Sequence, residues 1–390
     1  MAGSKEKLRY IKVKEHILHQ IKNGHLNVGD KLLGERKIAE MLNVSQMTAN
    51  RAIQELVKEG YLEREMGVGT FVVSTDPVKK VAPRVNIVLF GSIGREEEQI
   101  LSSKAKKFRD AGYSRKSEAT YLTVEYLSKD IFMGPMLRSL MEAGYLHDCE
   151  FSFLTAMYPY ELEEYVQKAD RNRECFVLVN PLESWQDSIR RIGESGLPIV
   201  ALSAHWDDMG VPYVDTDNYG GAKMAIGHLH DLGHRDIAVF YSWPETANTK
   251  DRINGAKDKM KELGLTVDEE MFWNIDGIDT ECIRLVKDAI KSMQSKGKRP
   301  TAIFAAGFEL ALAISTALNS YNYSIPDDMS LIGFDDSPAA IYLQPPLTTI
   351  RQPFPEMAKK AISILMSKHK SKQSEIIPVE LVIRDSTSKR

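Results

Sequence analysis

The sequence predicts a small α+β head followed by a larger, two-lobed α/β body. Three observations carry this expectation. Residues 10–73 read as helix, helix, short turn, helix, hairpin. Residues 74–84, STDPVKKVAPR, hold two prolines and no apolar period, as a linker does. From Val85 onward, strand-like and helix-like patterns alternate, which points to parallel sheets covered by helices. The expected division is a head over 1–75, a linker over 76–84 and a body over 85–390.

Length and composition agree. The chain has 390 residues, and at ~150 residues per domain it holds two or three cores. Hydrophobic residues are 43% and charged residues 27%, the balance of a folded protein. No apolar run approaches the ~18 residues of a spanning helix, so no membrane contact is expected. The first residues, MAGSKEKLRYIKVKEH, are charged and lack the apolar stretch of a secretory signal. Cys149, Cys175 and Cys282 lie far apart, which disfavours a disulfide framework or a zinc site and suits reduced thiols in a cytoplasm. The formal net charge of -3 divides unevenly, with +3 over residues 1–75 and -6 over the rest. A mildly basic head on an acidic body is the asymmetry expected if the head meets phosphate.

In the head, Val13, Ile17 and Ile21 recur every four residues on one helical face, and Asn23-Gly24 ends that helix. A second helix fits Glu35–Leu42, with Ile38, Met41 and Leu42 apolar. Ser45 is a good N-cap for a third helix to about Glu59, because its hydroxyl can accept exposed backbone N–H groups. Ala49, Ala52, Ile53, Leu56 and Val57 would face inward. YLEREMGVGTFVVS then gives two short strands about Gly67-Val68-Gly69. This order is that of a winged helix-turn-helix. The text GDKLLGERKIAEMLNVSQMTANRAIQELVKEGYLEREMGVGTFV resembles the DNA-binding domain of the GntR family over about residues 8–73. The resemblance rests on Glu35-Arg36, Val44-Ser45, Thr48, the Ala52, Leu56, Gly60 spacing and Gly69-Thr70-Phe71-Val72.

That resemblance implies a partner, double-stranded DNA, and a reading helix starting at Ser45 that enters the major groove. Ser45, Gln46, Met47, Thr48 and Asn50 would face the bases. Gln and Asn can pair bidentately with adenine. The family commonly has Arg at the positions of Gln46 and Asn50, so a shift from guanine toward adenine contacts is expected here. Arg36 and Arg51 are phosphate or base candidates, Thr48 a phosphate donor, and Gly67 and Gly69 would let the wing approach the minor groove. Leu33-Gly34 replaces the usual Pro-Ser, which weakens the cap of the second helix.

In the body, strands are expected at Val85–Phe90, Glu150–Ala156, Cys175–Asn180, Pro198–Ser203, Ile237–Tyr241, Ala302–Ala306 and Leu331–Phe334. Helical patterns fill 160–168, 184–194, 219–232, 250–263, 280–296, 309–321 and 356–367. Residues 94–129 read as an insertion, with a first body helix after it preferred over one within GREEEQILSSKAKKFRDAGY. The segments VDTDNYGGAKMAIGHLHDLGHRDIAVF, DRINGAK, SLIGFDDSP, QPPLTTIRQP and VELVIRDST resemble the effector domain of the LacI/GalR family. That domain has a two-lobed, periplasmic-binding-protein-like α/β fold. A GntR-type head on this body is the AraR-like arrangement of transcriptional regulators.

The resemblance implies a sugar-like effector held between the lobes by Arg252 and Asp335, with Asp336 as the alternative acid. Phe354, Phe132 and Ser203 complete the expected effector set. Ala306-Gly307-Phe308 stands where the family often has Asn-Asp, so the identity of the effector does not carry over. GxSxG, HExxH and Walker motifs are missing, so the chain reads as no enzyme, with no cofactor and no metal. His228, His230 and His234 sit in a motif whose role in the family is structural, and Asp215 and Asp217 read as hinge-proximal. The expected function is a sequence-specific repressor, acting as a homodimer on a near-palindromic operator and released by its effector. The competing readings are a sugar-binding sensor whose head binds protein, and a sugar-modifying enzyme.

Overall fold

A computed structural model describes residues 2–65, 68–75, 82–90, 133–275, 279–367 and 374–390. The chain divides into two compact units, Met1–Ala82 and Pro83–Arg390. The expected insertion at 94–129, and with it Phe132 and Gly67, lies outside the described residues.

In the first unit, α1 (Ala2–Lys22), α2 (Glu35–Leu42) and α3 (Gln46–Lys58) precede a hairpin of β1 (Leu62–Glu65) and β2 (Gly69–Val72). Val13, Ile17 and Ile21 of α1 pack on Ala52, Ile53 and Leu56 of α3, and Leu62 and Val72 close the core from the hairpin. Met41, placed on the apolar face of α2 by its spacing, is instead exposed, while Ile38 carries the contact. Gly34 caps α2 without a side-chain hydrogen bond, as the loss of a serine there requires. The hairpin is antiparallel, with Leu62 opposite Val72 and Glu65 opposite Gly69. A bridge from Lys31 to Phe71 adds a third edge that the sequence reading missed.

The second unit has two six-stranded sheets. The first has the order β13-β7-β6-β5-β3-β4. Its strands are β3 (Arg84–Phe90), β4 (Glu150–Ala156), β5 (Glu174–Val179), β6 (Ile199–Leu202), β7 (Tyr213–Thr216) and β13 (Glu375–Ile377), all parallel. The second has the order β14-β12-β11-β10-β8-β9. It comprises β8 (Ile237–Tyr241), β9 (Phe272–Asn274), β10 (Ala302–Ala305), β11 (Ser330–Phe334), β12 (Thr348–Arg351) and β14 (Glu380–Val382). Only the β12/β14 pair of that sheet is antiparallel.

Helices cover both faces of each sheet. The first lobe carries α4 (Met133–Tyr145), α5 (Pro159–Gln167), α6 (Gln186–Gly193) and α11 (Phe354–Met366). The second carries α7 (Asn218–Asp231), α8 (Ala247–Glu262), α9 (Asp279–Ser295) and α10 (Phe308–Ser320). Among the described residues the first body helix is α4, and the alternative within GREEEQILSSKAKKFRDAGY lies outside them. Five strands went unread: β7, β9, β12, β13 and β14. Each has three or four residues, too few to show a period.

The chain passes between the lobes three times, after β7, after β12 and after β13. These crossings are tied together. Thr216 Oγ1 donates to Gln352 Oε1 at 2.8 Å, and the Asp217 N–H donates to the Ile377 carbonyl at 3.0 Å. Such stitching makes the crossings a common hinge, and it brings the carboxyl ends of both sheets together. In open α/β sheets that is where ligands bind.

Candidate effector cleft and nucleic-acid interface

The first turns of α8 supply much of the cleft. Thr246 caps the helix by accepting the Thr249 N–H. Asn248, Lys250 and Asp251 then reach toward the first lobe. Asn248 Nδ2 donates to the Ser203 carbonyl at 2.8 Å, and Lys250 Nζ meets Glu183 Oε2 at 2.5 Å. Arg252 turns back into the second lobe. The close approach of α7 and α8 depends on Gly255, where an added Cβ would lie 2.2 Å from the Tyr219 carbonyl oxygen.

Arg252 and Asp335 are brought together. Arg252 Nη2 donates to Asp335 Oδ1 at 3.0 Å, Nε to Asn218 Oδ1 at 2.8 Å and Nη1 to the Ala306 carbonyl at 2.8 Å. The guanidinium also stacks 3.7 Å above the Phe334 ring centroid. Gln352 Nε2 donates to the same Asp335 oxygen at 2.6 Å. Guanidinium has five N–H donors, and these bonds occupy three. One N–H on each terminal nitrogen remains beyond them. Asp335 Oδ2 accepts no hydrogen bond among the described residues. It lies 3.6 Å from where a Cβ on Gly307 would stand, so glycine leaves room on that side. Asp336 is engaged elsewhere, by Arg351 at 2.7 Å and Arg384 at 2.7 Å.

Ser203 follows β6 at a left-handed φ of 61°, fully buried, with its carbonyl holding Asn248. Asn180, Trp243 and Asp335 also have positive φ beside the ends of β5, β8 and β11. Phe354 is buried in the first-lobe core with Met136, Leu140 and Met357.

The sequence reading passed over His205. Its Nδ1 donates to Asp215 Oδ2 at 2.8 Å, and its Nε2 lies 3.6 Å from Asp251 Oδ2. The first acid is on β7 of one lobe and the second on α8 of the other. The Asp215 hydrogen bond, with Asp215, Asp251 and Asp207 as neighbouring charges, holds the imidazole pKa above its ordinary value against the effect of burial. Burial raises that of Asp251, with His205 and Arg252 opposing. A histidine three residues beyond a strand end was the available signal.

Asp217 caps α7 by accepting the Gly220 N–H at 2.7 Å, and Asp215 accepts the Thr216 N–H at 2.7 Å. His228 and His234 bond to hydroxyls, of Thr387 for the first and of Thr301 and Ser330 for the second. Burial lowers the pKa of both. Among the described residues no cluster of His, Cys, Asp or Glu could hold a metal ion.

In the head, Ser45 caps α3, its Oγ accepting the Thr48 N–H at 3.1 Å and lying 2.7 Å from the Thr48 hydroxyl. Thr48 is thereby turned inward, 7% exposed, while Ser45, Gln46 and Met47 stand outward, Met47 at 73%. Arg36 is exposed beside Glu40, and Arg51 is exposed over the Tyr10 ring at 5.0 Å. Asn50 is half-buried and accepts from Arg64 at 3.3 Å. Gly69 has φ 152°, and Lys31 packs against the face where its Cβ would stand.

Comparison with known proteins bears on both units. Residues 9–72 match the bacterial regulatory proteins of the gntR family, and residues 226–387 match the periplasmic binding protein-like domain. The arabinose metabolism transcriptional repressor of Geobacillus stearothermophilus is 24% identical over 97% of this chain and 97% of its own. That of Halalkalibacterium halodurans is 26% identical over 97% and 96%. A LacI transcriptional regulator structure from Bacillus cereus superposes with TM-score 0.63 at 19% identity, covering 80% of this chain and all of that one. A LacI family regulator from Enterococcus faecium with bound ribose gives 0.59 at 20%, covering 79% and 99%. The second lobe and its returning strands match by sequence, and the structural likeness covers about four fifths of the chain. The chain thus joins a GntR-family regulatory domain at residues 9–72 to a periplasmic-binding-protein-like domain at residues 226–387.

Proposed function

We propose that this chain is a transcriptional repressor whose head binds an operator and whose body takes a sugar-like effector between its lobes. One observation supports the coupling above others. The first turns of α8 hold both Asn248, which bonds the opposite lobe at Ser203, and Arg252, which fixes Asp335 in the cleft. A hydroxylated ligand engaging the remaining Arg252 donors and Asp335 Oδ2 therefore acts on the element that joins the lobes. Bidentate and charge-assisted hydrogen bonds of this kind suit vicinal hydroxyls. Ser203 contributes its buried strand end, Phe354 the start of the helix after the second crossing, and Phe132 remains an expected aromatic contact.

Ligand changes operator affinity only through a difference in its affinity for two lobe arrangements. On the DNA side, Gln46, Met47, Asn50 and Ser45 meet the bases, and Arg36, Arg51 and Thr48 meet or orient against phosphate. Gly67 and Gly69 serve the wing. The named relatives are arabinose repressors, so pentoses head the effector candidates. We place the protein in the bacterial cytoplasm, as a homodimer on a near-palindromic site, without enzymatic activity. Mobility-shift assays with genomic fragments test the head: salt-sensitive, sequence-selective retardation supports the reading, and its absence favours a protein partner instead. Sedimentation tests the dimer.

A further inference from the structure

We infer that the first turn of α8 is a charge latch between the lobes: Lys250 on Glu183, with Asp251 on His205 beside it, holds them closed before any effector arrives. The inference deepens the effector reading by naming what sets the resting balance of the lobes, and it rests on that reading only in that the lobes move.

The latch follows from where the charges lie. Asn248, Lys250 and Asp251 all fall within the first five residues of α8. Asn248 Nδ2 bonds the Ser203 carbonyl, Lys250 Nζ pairs with Glu183 Oε2, and Asp251 Oδ2 lies 3.6 Å from His205 Nε2. The three partners follow strand ends of the first sheet. Glu183 opens a short 3-10 turn (Glu183–Trp185) after β5, and Ser203 and His205 stand just beyond β6. Further along α8 the charges keep to their own lobe. Lys257 pairs with Glu269, Lys259 with Glu262, Lys261 with Asp258, and Glu262 with Lys223 of α7. Among these pairs, those that cross between lobes belong to the helix turn that faces the cleft.

The energetics suit a reversible link. The Lys250 and Glu183 side chains are 48% and 39% exposed, so their attraction is small by itself and is screened by salt. It acts together with the buried Asn248 bond two residues earlier. Once that bond docks the lobes, the opposite charges already stand side by side and lose little further freedom. His205 is gripped from its own lobe, its Nδ1 on Asp215 Oδ2 at 2.8 Å, so the imidazole is fixed there and offers Nε2 to Asp251. A link of this size leaves opening accessible. A ligand can switch two arrangements only when its differential affinity exceeds the gap between them.

The test is pulsed dipolar spectroscopy of the full-length protein without any sugar. Nitroxides are placed at Lys168→Cys on the first lobe and Lys261→Cys on the second, both exposed, in a Cys149→Ser background that leaves only the buried Cys175 and Cys282. With no further change, low salt should give one dominant distance, and about 1 M salt should add a second, longer one. Lys250→Glu, which sets two carboxylates against each other, should lower the closed-to-open ratio roughly fivefold. Glu183→Lys added to it restores opposite charges in reversed order and should restore the ratio. Asp251→Asn should lower the ratio in the same sense as Lys250→Glu. The inference is overturned if Lys250→Glu leaves the distances unchanged, if the double reversal fails to restore them, or if Asp251→Asn moves nothing. Distances that respond to salt but not to charge reversal remove the latch alone. A distance that neither salt nor any variant alters also contradicts the lobe motion of the effector reading. Melting curves of each variant separate an opened cleft from a damaged fold.

Discussion

Arg252 and Asp335 form a buried ion pair at 3.0 Å, their side chains 8% and 11% exposed, between the start of α8 and the end of β11. Removing one member of such a pair strands the other charge. Arg252→Ala should therefore destabilise the body by about 3 kcal/mol, read as a lower urea midpoint with the slope unchanged. Asp335→Asn keeps an acceptor for Arg252 and should fold, losing effector response while retaining operator binding. A stable Arg252→Ala protein would show that the pair contributes no structural constraint.

Asn248 bridges the lobes through the Ser203 carbonyl. Asn248→Ala should cost about 1 kcal/mol of lobe closure. The apparent effector affinity should fall roughly fivefold, because the binding-competent arrangement becomes rarer. Isothermal titration against the effector that shifts the melting point checks this, and unchanged affinity would remove the bond from the closure mechanism.

His205 makes the body pH-sensitive. Its folded pKa lies above the ordinary 6.5, so its stabilisation is fully present below that value and is lost as pH rises through the raised value. His228 and His234, lowered by burial, work in the opposite sense. Comparing wild type with His205→Asn cancels them. The difference in Tm should be largest below pH 6.5 and shrink at higher pH. A pH-independent difference would assign His205 a packing role only.

Arg36 and Arg51 stand outward on α2 and α3. If each neutralises a phosphate, Arg36→Ala and Arg51→Ala should each reduce the slope of log affinity against log salt by about 1, with base preference unchanged. Fluorescence anisotropy across a salt series reads the slope.

Much of this architecture is legible in the sequence, for identifiable reasons. The α1 face of Val13, Ile17 and Ile21 and the Ser45 cap are local signals, and both appear as read. The long parallel strands, such as Glu150–Ala156 and Ile237–Tyr241, are apolar runs bounded by turns. The short strands β7, β12, β13 and β14 owe their existence to partners distant in sequence. The Ile377–Thr216 pairing, for example, joins strands more than a hundred residues apart, which no window along the chain can reveal. Arg252 and Asp335 were legible by resemblance. His205, Asn248 and Asp251 were not, because the contacts that join them run between lobes, His205 to Asp251 and Asn248 to Ser203. Met41 shows the converse limit: helical spacing gives a face, and only packing decides how much of that face is covered.

The most direct measurement of the central claim is operator affinity of the full-length protein with and without each member of a panel of pentoses and hexoses, in wild type and Asp335→Asn. One sugar should weaken wild-type operator binding by ~5–150-fold and leave Asp335→Asn unaffected. A sugar that acts equally on both proteins, or an operator complex indifferent to the whole panel, would contradict a cleft that governs the head.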